Sequence, residues 1–249
     1  MHQEVDRYAN RSPLSGFDPR IKIVSFMVLV LSVVTITNLE STALVLVVAS
    51  GLLFVSGLPL RFAAHFLKWP LMFISLFLFI MPFSVEGTPA FRVGGVVATF
   101  EGFKHGFLIS SRALAAVILV FLVVATTRFD TLLKALEKLK LPNVLIQVLM
   151  FSYRYSFLFS QEFERMRLAA KTRGFKPVTN MRTLHVLGSM VGMLLVRSHE
   201  RAEHVFWAMR AKGYDGKIRT FTELSLRQRD WIFACFIVVF AIFLHLVGG

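Results

Sequence analysis

Five stretches of this chain are almost free of charge, and that feature decides which solvent the fold must suit. Residues 23–39, 41–60 and 69–85 contain no Asp, Glu, Lys, Arg or His, while 107–127 carries only Arg112 and 231–249 only His245. A helix crosses the hydrocarbon core of a bilayer with roughly 20 mostly apolar residues, about 17 at the lower limit. The five stretches meet or approach that length, so the chain is expected to be an all-α integral membrane protein with about five transmembrane helices. Composition agrees: 55% of the residues are hydrophobic, Phe occurs 26 times, and 17% are charged, against about 25% in an ordinary soluble domain. Two further apolar runs, 141–153 and 183–196, fall short of a comfortable crossing and suit interfacial or bundle-buried segments.

The net charge of +13 is unevenly placed. Up to Thr127 there are 9 Lys and Arg against 6 Asp and Glu; from Arg128 to Asp230 there are 19 against 9. A basic block between membrane spans reads as cytoplasmic under the positive-inside rule. Nucleic-acid binding would need a recognition module, and the sequence offers none. Among the short loops, 38–42 has no Lys or Arg, the next carries Arg61, His65 and Lys68 beside Trp69, and 86–104 is near neutral. That alternation places the N-terminus, the second loop and the basic segment on the inner side. The expected organisation is a four-span region (1–127), a cytoplasmic region of long amphipathic coupling helices (128–230), and a final span (231–249). No cleavable signal peptide is apparent, because the first 20 residues are polar.

Single residues add little. Cys235 lies in an apolar run and reads as a small lipid- or core-facing side chain. Arg112 sits near the outer end of its span, where snorkelling is the simplest account and a buried pairing the alternative. Thr88 to Val96, rich in Gly and Pro, has the look of a short hairpin, either a plain surface turn or a contact for a substrate-binding partner.

The basic segment repeats itself. Glu164, Ala169, Lys171, Arg173, Gly174 and Phe175 recur 39 residues later as Glu203, Ala208, Arg210, Lys212, Gly213 and Tyr214. Each copy closes a strong helix former, expected over 160–173 and 197–212. Gly past a helix end is a common cap, and a basic last turn suits the macrodipole; capping alone would explain one copy. Two copies that share Ala, basic and aromatic positions ask for more. Ala keeps one helix face slim, the exposed cation can meet a partner's carboxylate, and the aromatic can plug a shallow groove. Two equivalent helix ends invite two equivalent receptors. Between the copies, Gly188 and Gly192 have a small-xxx-small spacing that allows close helix approach, here of a scissors-like pair. Residues 128–140 form another amphipathic helix, with Leu132, Leu133, Leu136 and Leu139 on one face, ended by Pro142.

At these residues the sequence resembles the transmembrane T component of energy-coupling-factor (ECF) transporters, and more narrowly its CbiQ-type subgroup from cobalt importers. That family carries two Ala-Arg-Gly-like motifs at the ends of its coupling helices, matched here by Thr172-Arg173-Gly174 and Ala211-Lys212-Gly213. The run Asp6-Arg7-Tyr8, Ser12-Pro13-Leu14 and Asp18-Pro19-Arg20-Ile21-Lys22 also resembles that subgroup's approach to the first span. The likeness covers essentially the whole chain. It departs from the family at Lys212, where Arg is usual, and at Thr172, where Ala is usual; Lys keeps the charge and loses the bidentate fork.

The resemblance implies a non-catalytic scaffold in a bacterial inner membrane. It would hold two cytosolic ATP-binding subunits through the six motif residues, with Glu164, Ala169, Phe175, Glu203, Ala208 and Tyr214 in support, and a membrane substrate-binding component through its apolar surface. It implies cobalt as cargo, with nickel or a vitamin as alternatives, and leaves ATP and Mg on the partner subunits, with no cofactor or metal on this chain.

An ordinary ABC importer permease fits less well: Ala169, Ala170 and Gly174 catch part of its cytoplasmic motif, but its Glu and its Ile-x-Leu-Pro are missing. A membrane enzyme would need clustered carboxylates or a His-Glu-x-x-His spacing, and the five spans contain no Asp or Glu. His199, Glu200, Glu203 and His204 read as helix-surface charge pairs. Met1-His2 has no further ligands to make a metal site.

Overall fold

The computed structural model describes residues 13–93, 96–216 and 226–248. After a short 3-10 turn at Pro13–Gly16 come helices α1 (Pro19–Thr35), α2 (Leu39–Val55) and α3 (Leu60–Ser84), a hairpin of β1 (Pro89–Val93) and β2 (Val96–Thr99), then α4 (Phe100–Ala125), α5 (Phe129–Lys138), α6 (Asn143–Thr172), α7 (Met181–Ala211) and α8 (Gln228–Gly248). Apart from the hairpin the protein is all-α, as expected. The chain divides into two compact units, Met1–Lys138 with Glu223–Gly249, and Leu139–Thr222.

Local chemistry sets the helix starts of the first unit. Asp18 caps α1, its carboxylate accepting the Arg20 N–H, and Pro19 follows at the first helical position. Thr99 caps α4 by accepting the Gly102 N–H. α3, α4 and α8 are long and apolar enough to cross a membrane; α2 is a shorter apolar helix of 17 residues, and α1, of the same length, carries Arg20 and Lys22 in its first turn. α3 begins at Leu60, so Arg61, His65 and Lys68 stand on its first turns and not in a loop as expected from the sequence. Its 25 residues make about 37 Å at 1.5 Å per residue, more than the ~30 Å hydrocarbon core, so basic residues are tolerated in the overhang. For the same reason α4 starts at Phe100, seven residues ahead of the uncharged run.

One face of α4, carrying Leu108, Ser111, Ala115, Ile118, Leu119, Leu122 and Ala125, is buried against α1, α2 and α3. α8 returns to pack on α1, where Ser32 Oγ donates to the Ala241 carbonyl at 3.4 Å. The opposite surfaces expose large apolar side chains such as Leu31, Val47, Phe54 and Phe79, as suits lipid. Arg112 does not simply snorkel: its Nη1 donates to the Val34 carbonyl at 3.4 Å, serving the orphan carbonyls at the end of α1. Cys235 is exposed on α8. The expected hairpin is present, with Phe91 opposite Ala98 and Val93 opposite Val96; Gly94 and Gly95 lie outside the described residues.

Two expectations need correction. Residues 128–138 do not join the coupling helices, because α5 packs on α1 in the first unit and buries Leu133 and Ala135. Residues 141–153 and 183–196 are not separate segments either. Each continues into the basic helix that follows, giving single helices of 30 and 31 residues. Nothing between 143 and 172 breaks a helix, and the change from apolar to charged composition is not itself a break.

The close helix approach falls elsewhere than at Gly188 and Gly192, where an added Cβ would meet no atom within 4 Å. It falls at Gly102 and Gly106, where α4 lies against α3. A Cβ on Gly102 would come within 2.7 Å of the Met81 carbonyl oxygen and the Pro82 Cα. Gly102→Ala is therefore expected to destabilise the first unit by about 1–3 kcal/mol through overpacking. Gly188→Ala should be neutral or gain up to about 1 kcal/mol of helix propensity. Thermal unfolding in detergent compares the two, and a Gly102→Ala protein as stable as the wild type would contradict the close packing.

Candidate functional site

α6 and α7 end in the same way. Arg173 (φ −84°, ψ 14°) and Lys212 (φ −89°, ψ 11°) close the helices, and Gly174 and Gly213 follow with φ of 81° and 80°. The Gly174 N–H bonds to the Lys171 carbonyl at 3.1 Å and the Phe175 N–H to that of Ala170 at 3.0 Å. In the second copy the Gly213 N–H bonds to Arg210 and the Tyr214 N–H to Met209, both at 3.0 Å. Both ends are Schellman caps. No atom lies within 4 Å of a Cβ added at either glycine, so left-handed backbone, and not crowding, is what requires Gly there.

The caps leave the cations outward. Arg173 and Lys212 are exposed, and among the described residues neither makes an ion pair. Thr172 and Ala211 are exposed beside them, with the Thr172 hydroxyl turned back to the Ala169 carbonyl at 2.8 Å. The repeat thus builds two matched surfaces in which the backbone is satisfied internally and the charge is not.

The two helices run antiparallel. Met166, Ala169 and Ala170 share a groove with Val186, Met190 and Met193. Glu162 pairs with Arg197, Arg201 lies 5.7 Å over the Tyr155 ring, and the Tyr214 hydroxyl donates to Gln147 Oε1 at 2.6 Å. From Gln147 through Tyr155 to Glu162 along α6, the partners step back from Tyr214 through Arg201 to Arg197. Shifting by 39 residues lays 143–172 onto 182–211, so the pairing has an approximate two-fold axis near Phe159 and Ser198. The level of Gln147 and Tyr214 is 26 residues along α6 from Arg173, which separates the two cationic ends by about 40 Å at 1.5 Å per residue.

The supporting positions divide. Ala169 and Ala208 line the clefts where the helices meet, which suits their small size. Glu164 pairs with Arg167 at 2.7 Å and Glu203 with His199 at 3.6 Å, as surface charge pairs on their own helices. Tyr214 is not free to plug a partner's groove with its hydroxyl, because Gln147 holds it while also donating to the Gly216 carbonyl at 2.7 Å. Phe175 is half-buried. No cluster of three or more His, Cys, Asp or Glu positioned for a metal occurs among the described residues.

The N-terminal signature belongs to a second polar assembly, inside the first unit. Lys22 is 1% exposed, and its Nζ donates to the Thr126 carbonyl at 3.0 Å and to Thr127 Oγ1 at 3.1 Å. Asp230, also 1% exposed, accepts the Asp18 N–H at 3.1 Å and the Arg227 N–H at 2.9 Å. Arg20 Nε lies 3.5 Å from Asp18 Oδ1, and Pro19 is buried. Asp6, Arg7, Tyr8 and Ser12 lie outside the described residues. Sequence reading missed Thr126, Thr127 and Asp230; the available signal was polar residues placed where helices meet the boundary of an apolar block.

The family model described as "Cobalt transport protein", CbiQ, matches residues 10–223. An uncharacterized protein of Methanocaldococcus jannaschii is 28% identical, over 99% of this chain and 93% of its own length. The energy-coupling factor transporter transmembrane protein EcfT of Bacillus subtilis is 28% identical, over 80% of this chain and 79% of its own. A putative fused cobalt transport protein CbiMQ of Methanocorpusculum labreanum is 30% identical over 51% of this chain and 21% of its own length.

The cap geometry yields a test. Gly174→Ala forces a Cβ into left-handed backbone at a cost of about 1–2 kcal/mol, whereas Gly174→Asn is better tolerated there. Amide hydrogen exchange at Phe175, whose N–H closes the cap, should quicken clearly in the Ala variant and little in the Asn variant.

Proposed function

Because this chain belongs to the CbiQ family of cobalt transport proteins, we propose that it is the transmembrane coupling component of an ECF-type importer. It sits in a cell membrane with five crossings and its N-terminus in the cytoplasm, as the distribution of Lys and Arg supports. Two cytosolic ATP-hydrolysing subunits dock on it, one through Thr172, Arg173 and Gly174, the other through Ala211, Lys212 and Gly213. The bundle's apolar surface holds a membrane-embedded substrate-binding component. Co²⁺ is the cargo; ATP and Mg are bound by the partner subunits, and this chain contributes no catalytic residue.

The observation that carries the reading is the pair of matched, outward-facing cations at the ends of two antiparallel helices of nearly equal length. An arrangement with an approximate two-fold axis fits a partner that is itself a pair of like subunits, each offering a carboxylate-bearing groove to one end. Residues 10–223, the part matched by the family model, include both ends. ATP-driven closure of such a pair would move two points about 40 Å apart toward each other and load both helices at once.

Exposed ion pairs contribute about 0.2–1 kcal/mol, whereas removing one partner of a desolvated pair costs about 2–5 kcal/mol. If the docked ends are desolvated, Arg173→Ala should weaken ATPase binding at least about 30-fold, and Lys212→Ala somewhat less, since Lys lacks the bidentate fork. Co-purification of the ATPase subunits with the tagged chain, from wild type and from the Arg173→Ala/Lys212→Ala double variant, is the direct measurement. Partners retained by the double variant would sink the docking assignment, and ⁵⁷Co²⁺ uptake unaffected by excess unlabelled Co²⁺ would sink the cargo.

A further inference from the structure

The chain leaves the first unit after α5, at Lys138, and comes back before α8; the end of α4 ahead of α5 and the start of α8 are both pinned to the same turn of α1. On the way out, α4 ends at Thr126. There the buried Lys22 Nζ donates to the Thr126 carbonyl (3.0 Å) and the Thr127 hydroxyl (3.1 Å), spanning 104 and 105 residues of sequence. On the way back, the buried Asp230 carboxylate opens α8, one oxygen on the Arg227 N–H (2.9 Å) and the other on the Asp18 N–H (3.1 Å), 212 residues away in sequence. Asp18 and Lys22 are one helical turn apart, joined by the Lys22 N–H bond to the Asp18 carbonyl at 3.1 Å. α5, the first element after Thr127, also packs on α1.

We propose that this first turn of α1 is the transmission clamp of the protein, through which displacement of α6 and α7 reaches the membrane bundle. The inference rests on the coupling function proposed above. Lys22, Asp18 and Asp230 are positioning residues that touch neither ATP nor cargo. A pull on α6 enters the first unit at Lys138 and passes through α5, itself packed on α1, to Thr127; a pull on α7 enters toward Arg227. An unpinned segment at either place would absorb it by local unwinding of a helix end, where the terminal backbone groups lack helical partners. Lys22 and Asp230 remove that slack. Both are almost fully buried, so their hydrogen bonds are hard to exchange for water. Since both pins meet on one turn, the two crossings move α1 together, and α1 packs on α4 and α8.

The test uses the complete transporter, with its ATPase subunits and substrate-binding component, in proteoliposomes. Co²⁺ accumulated is measured against ATP hydrolysed for the wild type and for Lys22→Met, Asp230→Asn, Thr127→Val and Thr127→Ser. The clamp predicts that Lys22→Met and Asp230→Asn keep their ATPase subunits and hydrolyse ATP, yet move at least fivefold less Co²⁺ per ATP. Thr127→Val should show a smaller loss of the same kind, and Thr127→Ser, which keeps the hydroxyl, should match the wild type. An unchanged Co²⁺-to-ATP ratio in Lys22→Met and Asp230→Asn overturns the clamp. If those two fail to fold, Thr127→Val decides: a lowered ratio supports the clamp, and a wild-type ratio overturns it. A wild-type complex that binds no ATPase or moves no Co²⁺ with ATP overturns the proposed function instead.

Discussion

A lysine nitrogen buried among helices is tolerated only where oxygen atoms accept from it, since an unmet polar group away from water is costly. Lys22 meets the requirement at the end of α4, where the last carbonyls have no helical partners and carry the negative end of the helix dipole. The demand is mutual: the helix end needs donors and the buried lysine nitrogen needs acceptors. Meeting it fixes the height of α1 against α4. With that height set, Phe26, Leu29 and Val33 fall opposite the buried face of α4, and Ser32 comes within reach of the Ala241 carbonyl on α8. Asp230 applies the same logic at the start of α8, where unpaired amides call for an acceptor.

The second unit is built differently. Its helices have few buried positions, Met190 alone reaching the buried class among the described residues of α6 and α7. Side-chain bridges such as Glu162 to Arg197 and Tyr214 to Gln147 join them beside the apolar groove. Polar partners of this kind can be exchanged for water at little cost where they are exposed. The first unit is instead packed through Gly102 and a continuous apolar stripe. The two Schellman caps make the ends of the pair alike.

Much of this was legible from the residues. The uncharged runs fixed the solvent and the helical class, the Gly-rich segment marked the hairpin, and the 39-residue recurrence located the matched ends, because caps and spans are determined by chemistry within one or two turns. Helix limits were harder to read. Arg61, His65 and Lys68 looked like loop residues, and 141–153 looked separate from 160–173, because hydropathy reports the boundary of the bilayer while helices end where capping or chain-breaking residues end them.

What the sequence determined by itself was therefore local: which segments favour lipid, which residues turn the chain at Gly174 and Gly213, and where charge accumulates. Tertiary structure alone decided which glycines face another backbone. Gly102 and Gly106 share the spacing of Gly188 and Gly192, yet only the first pair has a helix against it. It also decided that Asp18 and Lys22 would find Asp230 and Thr126 across 212 and 104 residues. Such pairings depend on how helices stack in three dimensions, and no local spacing encodes the partner of a buried charge that lies on another helix.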